Sequence, residues 1–331
     1  MLKWLLRASF SVFKWALCGL GAVALLLTAM VATPLKSPPE LRSLAAARKN
    51  VDYSTLPAIE RFQARDGTML GFRHYPLSGA PTGRAAIVVH GSSGSSGTTI
   101  HALSAALAAR GVDTWAIDIR GHGTSGSRGD IGYVGQLEDD LEDFVRTRAP
   151  SVPLTLIGHS AGGGFALRVA SSPIQNLFAR TILLAPYLGY DAPTNQPNSG
   201  GWASGDLPRI LGLLALRKLG IDCCEALPTL AFAVPPNSAN LLVPAYSDRL
   251  TRNFATRGYR ADFASVTKPL TLISGADDEL MLAGKYAEAV HAVAPSVEVK
   301  LIDGVNHIGV VSDPKAISFI ADDVAKTESG S

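Results

Sequence analysis

The sequence has 331 residues, 47% of them hydrophobic, so it can bury a sizeable core in one large domain or two small ones. Its 30 basic and 28 acidic residues leave a net charge of +2, a balance that gives no reason to expect a nucleic-acid partner. The three cysteines form no disulfide framework, and the sequence contains neither a CxxC nor an HExxH pattern, so a metal site has little support.

The N-terminal region contains an uncharged apolar stretch at 15–35. As a helix, this stretch is long enough to cross the core of a bilayer. Lys3, Arg7 and Lys14 precede it, which predicts that the N-terminus stays on the cytoplasmic side and that the rest of the chain lies outside the cytoplasm. We therefore expect a single-pass membrane anchor.

A cleavable signal peptide is the alternative for this segment, and the protein would then be secreted. The apolar run is longer than is usual for a signal peptide and ends without a clear small-x-small cleavage site, which favours the anchor. The following stretch, 33–58, is rich in Pro, Ala and charged residues and is expected to be a linker. Residues 1–58 are thus expected to form an anchor and linker.

Beyond residue 58, strand-like apolar segments alternate with helix-like segments. The predicted strands cover 59–65, 70–77, 85–89, 113–119, 154–157, 181–185, 270–274 and 297–302. The predicted helices cover 100–110, 135–148, 161–170, 281–293 and 314–326. This alternation indicates an α/β fold with a parallel sheet and helices on both of its faces.

Residues 188–263 interrupt this alternation. They are rich in Pro, Gly and Asn and contain only short helical pieces, such as 207–219. We interpret them as a cap or lid inserted between two strands of a core that covers 59–187 and 264–327. Insertions at the carboxyl ends of strands are where such sheets bind their ligands.

A candidate nucleophile lies at 158–162, where the sequence reads Gly-His-Ser-Ala-Gly. This G-x-S-x-G pattern follows an apolar strand and precedes a helix, the context in which a sharp turn presents a serine at the edge of a sheet. The helix N-terminus beyond Ser160 adds positive potential for an oxyanion. A glycine-rich turn without chemistry is the alternative.

A serine nucleophile needs a base and an orienting acid, usually in the chain order Ser, acid, His. His307 lies in a loop after a late strand, whereas His291 lies in a helix-like run and is better explained as a helix-surface residue. Asp278 follows the predicted strand 270–274 and is the preferred acid, with Asp277 as the alternative. Helix capping is a second role for this pair, and the two neighbours could share the two roles.

An oxyanion hole needs two backbone N–H groups. One is expected from Ala161, the residue after the nucleophile. The other is expected from Ser92, in the Ser- and Gly-rich loop that follows His90 and Gly91.

Together these motifs resemble the α/β-hydrolase fold family. The resemblance is carried by five stretches in the order typical of that family, at 90–94, 118–132, 156–167, 273–278 and 304–307. It implies a mostly parallel sheet of eight strands, a lid inserted after the sixth strand and no cofactor. It assigns Ser160 as nucleophile, His307 as base and Asp278 as acid.

More narrowly, the stretch Arg-Gly-His-Gly-Thr-Ser-Gly-Ser-Arg-Gly-Asp at 120–130 resembles the lysophospholipase and monoacylglycerol lipase branch, which is classified with serine aminopeptidases. The loop after His90 and Gly91 lacks the second histidine often found in monoacylglycerol lipases, and 188–263 aligns with no motif. These departures concern the substrate more than the reaction.

The sequence therefore predicts a membrane-anchored serine hydrolase of carboxylic, lipid-like esters that needs neither a cofactor nor a metal. A peptidase of the aminopeptidase type and an acyltransferase with the same triad are alternatives within this fold. A catalytically silent membrane scaffold is the alternative from another class. The sequence leaves the oligomeric state and the role of Cys223 and Cys224 open.

Overall fold

A long helix precedes the folded part of the chain. The computed structural model describes residues 2–41, 51–235 and 242–326, with side chains from residue 13 onward, and its first helix, α1, spans Leu2–Val31. Within α1, Phe13–Val31 is long and apolar enough to cross a membrane, and none of this span is buried against the rest of the molecule. A signal sequence would pass the same test of length and composition.

The centre of the fold is a sheet to which the described residues contribute eight strands, in the order β1-β2-β4-β3-β5-β6-β10-β11. Their bounds are Glu60–Gln63 (β1), Met69–Tyr75 (β2), Arg84–Val89 (β3), Val112–Ile117 (β4), Leu154–His159 (β5), Arg180–Leu184 (β6), Leu270–Gly275 (β10) and Glu298–Ile302 (β11). Strand β2 is antiparallel to β1 and β4, and the remaining pairs are parallel. The predicted mostly parallel sheet of eight strands is confirmed.

Helices cover both faces of this sheet. They include Ile100–Ala109 (α2), Gln136–Arg148 (α3), Ala161–Ala170 (α4), Tyr286–His291 (α8), Gly309–Ser312 (α9) and Pro314–Ala325 (α10). Strand β3 shows why its apolar run is continuous: Ile87 and Val89 pack in the cluster that contains α3 and α4, whereas Val88 packs in the cluster that contains α2 and α10. A strand buried on both faces needs apolar residues at successive positions.

One predicted helix is shorter than expected. Over 281–293 the chain forms a 3₁₀ turn at Ala283–Lys285 and then the short helix α8. Met281 forms an antiparallel bridge with Asn195, and the N–H of Leu282 donates to Thr194 O, which holds this stretch in an extended conformation. Contacts from a distant part of the chain thus override the local helical pattern.

Between β6 and β10 the chain leaves the central sheet. This part contains a small antiparallel sheet of Ala203–Gly205 (β7), Pro228–Phe232 (β8) and Ala245–Ser247 (β9), together with helices Leu207–Lys218 (α5), Asp248–Asn253 (α6) and Tyr259–Ala264 (α7). We refer to the predicted insertion, 188–263, as the cap. It is tied to the loops of the core by hydrogen bonds from the N–H of Val243 to Ser93 O and from the N–H of Ser247 to Gly129 O.

Candidate active site

Ser160 occupies the sharp turn between β5 and α4. Its backbone lies in a strained region, with φ 55° and ψ −118°. The turn is held by its own backbone: the N–H of Ser160 donates to Leu184 O at 2.9 Å, and its carbonyl accepts from Tyr187 N at 2.9 Å. A non-glycine residue with positive φ persists only where its surroundings enforce it, and such strain is concentrated at functional sites.

The glycines around Ser160 are required by close backbone contacts. A Cβ at Gly158 would lie 2.1 Å from Gly162 O, and a Cβ at Gly162 would lie 2.4 Å from His90 O. Neither position can hold a larger residue without a backbone shift. The glycines of the motif therefore let β5, α4 and the loop after β3 approach one another.

Ser160, His307 and Asp278 form a hydrogen-bonded series. In the neutral tautomer that this geometry requires, the Ser160 hydroxyl donates to His307 Nε2 at 3.0 Å, and His307 Nδ1–H donates to Asp278 Oδ2 at 2.8 Å. All three residues are buried, and the His307 side chain is 2% exposed. Three segments that are far apart in the sequence thus meet at the carboxyl edge of the sheet.

Asp278, and not Asp277, faces the histidine. Its second oxygen, Oδ1, accepts hydrogen bonds from the N–H groups of Leu280 and Met281, both at 2.8 Å, while Asp277 is exposed. Asp278 therefore makes both contacts considered for the acidic pair, the one to the histidine and the one that caps the following turn. They are not shared between the two neighbours.

A third acidic residue at this site was missed by the sequence analysis. Glu279 Oε2 accepts a hydrogen bond from the backbone N–H of His307 at 3.0 Å. The only signal in the sequence was its place directly after the acidic pair. His291 lies apart from this group, at the end of α8, where its Nε2–H donates to Val297 O at 3.0 Å.

The loop after β3 brings Ser92 close to Ser160. A Cβ at Gly91 would lie 3.1 Å from the Cβ of Ser160, so this loop passes directly over the turn. Ser93, the residue after Ser92, has φ 66°. Its N–H donates to the hydroxyl of Tyr246 in the cap at 2.6 Å. Ala161, the other residue expected to supply an oxyanion donor, is the first residue of α4, where backbone N–H groups have no partner within the helix.

A cavity of about 30 Å³ lies above Ser160. It is lined by Gly91, Ser92, Gly94, Thr98, Thr99, His159, Ser160, Trp202, Leu242, Leu280, His307 and Ile308. Trp202 and Leu242 come from the cap, and the Trp202 Nε1–H donates to Ser92 Oγ at 2.8 Å. Two cap residues thus lie over Ser160 and narrow the approach to its hydroxyl.

Three further histidines, His90, His122 and His159, are fully or almost fully buried near the nucleophile. Burial lowers the pKa of each imidazole, that of His159 to about 3. In its neutral form, His159 donates from Nε2 to the backbone carbonyl of His307 at 3.1 Å. These residues support the loops of the site, and across the described residues no group of three His, Cys, Asp or Glu side chains could hold a metal ion.

Comparison with known proteins finds hydrolases among the relatives of this chain. The model of a family described as serine aminopeptidase, S33, matches residues 81–226. A 2-(acetamidomethylene)succinate hydrolase from Mesorhizobium japonicum is 26% identical over 59% of this chain and 71% of its own length. The monoglyceride lipase of Saccharomyces cerevisiae is 26% identical over 77% of this chain and 87% of its own length.

Among solved structures, a soluble variant of the monoglyceride lipase from Saccharomyces cerevisiae, in complex with a substrate analogue, resembles the fold. Its TM-score is 0.64 at 20% sequence identity, and the match covers 82% of this chain and 94% of that one. This likeness independently supports the architecture of the core.

Proposed function

We propose that this chain, a serine hydrolase of the α/β-hydrolase fold in its monoacylglycerol lipase-like branch, cleaves carboxylic esters of lipids with Ser160 as the nucleophile. The observation that carries the proposal is the buried hydrogen-bonded series of Ser160, His307 and Asp278. A serine hydroxyl is a weak nucleophile at neutral pH unless a base that is itself oriented by a third group takes its proton.

The proposed reaction has two steps. His307 Nε2 takes the proton of Ser160 as Oγ attacks the ester carbonyl, and it then gives that proton to the leaving alcohol. Water attacks the acyl-enzyme through the same base, which releases the carboxylic acid and restores the serine. Asp278 keeps His307 Nδ1 protonated and stabilises the imidazolium that forms in each step.

Backbone groups of Ser92 and Ala161 are proposed to hold the oxyanion. Support comes from the close approach of the Ser92 loop to Ser160 and from the position of Ala161 at the start of α4. Donors of this kind stabilise negative charge that develops only in the transition state. Because Tyr246 and Trp202 hold this loop from the cap, the cap contributes to the placement of the proposed donor.

A lipid ester is the substrate class that fits the remaining features. One of the two relatives named above, the protein from Saccharomyces cerevisiae, is a monoglyceride lipase. The cap places Trp202 and Leu242 over the proposed nucleophile. We propose that α1 anchors the enzyme in a membrane with the catalytic part outside the cytoplasm, which would bring it to esters held in the bilayer. The proposal includes a linker at 33–58 and a cap at 188–263, of which 42–50 and 236–241 lie outside the described residues.

The alternatives differ in their products. The matching family is described as serine aminopeptidase, so a peptidase is the second candidate, and an acyltransferase would pass the acyl group to an acceptor other than water. A silent scaffold would have no need for a strained serine held against a buried His–Asp pair.

The deciding experiment is active-site labelling with a fluorophosphonate, followed by a panel of substrates. Labelling of the wild type and loss of labelling in Ser160→Ala is expected, with ester hydrolysis reduced by at least about a thousandfold. Ser265→Ala, which removes an exposed hydroxyl at the end of α7, is the matched control and should keep full activity. Faster cleavage of aminoacyl amides than of monoacylglycerols would favour the peptidase, and a folded wild type that does not label would overturn the proposal.

A further inference from the structure

The end of the N-terminal helix is packed against the cap. Helix α5 turns Gly212 towards α1, and a Cβ at Gly212 would lie 3.1 Å from both Met30 Cβ and Val31 Cγ2. A glycine at the contact point lets the two helix backbones approach closely. Residues 13–26 are exposed, whereas Leu27, Met30 and Val31 are partly covered, so the contact lies in the last turns of the apolar span.

A buried ion pair in the cap holds this end of α1. Asp206 and Arg209 are each 8% exposed. Arg209 Nε–H donates to Val31 O at 2.9 Å, and its Nη2–H donates to Thr33 O. The Thr33 hydroxyl in turn lies 2.8 Å from both carboxylate oxygens of Asp206.

These contacts make Val31 and Thr33 part of the cap. A buried guanidinium is stable only when its donors find acceptors, and two of the acceptors of Arg209 come from the N-terminal segment. Removal of that segment would leave Arg209 with Asp206 and the carbonyl of Pro228. The chain then continues along the cap to Leu41, which packs against the buried core.

Helix α5 also carries an apolar edge that faces outward. Leu207, Leu211 and Leu214 are 62%, 45% and 39% exposed and follow the i, i+4, i+7 spacing of one helix face. Leu219 and Ile221, which follow the helix, are also exposed. We call these five residues the leucine edge.

The position of the leucine edge points to its partner. Val31 ends the apolar span that would cross the bilayer core, and Gly212 of α5 touches that residue. The middle of α5 therefore lies at the depth where a membrane-spanning helix leaves the hydrocarbon region, which is where apolar helix faces enter the lipid interface.

We propose that the Asp206–Arg209 pair is a built-in binding site for the end of α1, that α1 is therefore retained in the mature enzyme, and that this docking lays the leucine edge on the bilayer. The inference rests on the membrane anchoring proposed above and does not depend on the chemistry of Ser160.

The test places a fluorophore on the leucine edge of the full-length protein. Cys18, Cys223 and Cys224 are exposed and would first be replaced by serine. A single cysteine is then introduced by Leu211→Cys or, as the matched control, by Leu301→Cys, since Leu301 is 43% exposed on the edge strand β11. Each protein is labelled with an environment-sensitive dye and reconstituted in phosphatidylcholine vesicles with or without nitroxide-labelled lipid.

The dye at position 211 should emit at shorter wavelength and be quenched by nitroxide lipid several-fold more than the dye at position 301. Equal quenching at the two positions would overturn the bilayer contact. Shielding from aqueous iodide without lipid quenching would overturn it in favour of a second copy of the chain. Intact mass of protein extracted from membranes should include α1, and a mature chain that begins near residue 33 would overturn retention.

Arg209→Lys tests the binding site itself, because lysine keeps the charge but cannot present the donors of a guanidinium fork. Lipid quenching at position 211 should fall in this variant and stay unchanged in Arg249→Lys, a cap arginine that pairs with Asp130 away from α1. Wild-type quenching in Arg209→Lys would overturn the role of the pair. Thermal unfolding of the same samples shows that they are folded, and fluorophosphonate labelling, measured separately, distinguishes failure of this inference from failure of the proposed catalysis.

Discussion

Asp278 uses its two carboxylate oxygens for different tasks. Oδ2 orients His307, and Oδ1 holds the turn that follows β10. The N–H groups of this turn also hold the carboxylate in place, which keeps Asp278 hydrogen-bonded to the histidine. Asp277, one position earlier, shares the charge but neither contact.

We therefore predict that Asp278→Asn lowers kcat by about 10³- to 10⁴-fold, because an amide at this position favours the wrong imidazole tautomer and cannot stabilise the imidazolium. Asp277→Asn should change kcat by less than about twofold, as expected for an exposed residue outside the reacting groups. Steady-state hydrolysis of a soluble ester, with thermal unfolding as the check on folding, measures both variants. A similar loss of activity in the two variants would contradict the assignment.

The candidate site could be predicted as far as local motifs reach. Ser160 and His307 were predicted because a strand-to-helix turn and a loop after a late strand are visible in the sequence itself. The sequence favoured Asp278 but left Asp277 open as the alternative, since neighbouring side chains at the end of a strand point in different directions and only the fold shows which one meets the histidine. Trp202 carried no signal, because its partner Ser92 lies 110 residues away.

At the scale of elements, the strands and helices of the core could be predicted from the pattern of apolar residues, whereas most of the cap could not. Strands such as β3 and β5 are buried on both faces and read as continuous apolar runs. The cap is built from short strands and long-range hydrogen bonds, so its sequence carries turn residues without a period. Its first helix, α5, was nevertheless predicted at 207–219 and is observed at Leu207–Lys218.

Residues of the cap limit the space above Ser160. Trp202 lies beside the nucleophile and donates to Ser92, and the cavity beneath it is about 30 Å³. We predict that Trp202→Ala raises kcat/KM for a decanoyl ester relative to an acetyl ester, because the loss of the indole enlarges the cavity. Assays of the two esters with each protein measure this ratio.

Phe232→Ala is the control for this prediction. Phe232 packs against Trp202, with ring centroids 5.5 Å apart, but it is not among the residues that line the cavity. Both substitutions remove a buried aromatic ring and should lower the free energy of unfolding by up to about 5 kcal/mol. The same change in the acyl ratio in both variants would mean that general loosening of the cap, and not space next to Ser160, controls chain length.

At the scale of the whole molecule, the buried histidines make stability depend on pH. Burial lowers the pKa of His90, His122 and His159, in the last case from 6.5 to about 3. In the unfolded chain each imidazole takes up a proton as the pH falls through about 6.5. The folded protein cannot bind that proton until a lower pH, so unfolding takes up protons and acid favours the unfolded state.

The free energy of unfolding of the detergent-solubilised protein should therefore be largest above about pH 6.5 and fall towards about pH 5, by up to about 1.4 kcal/mol per pH unit for each histidine. The contribution of His159 persists above its unfolded pKa and is lost progressively as the pH falls towards its folded value of about 3. Urea unfolding at several pH values measures the slope, and His159→Asn should reduce it by one proton. A slope that is unchanged in this variant would show that His159 is protonated in the folded protein, in conflict with its burial beside His307.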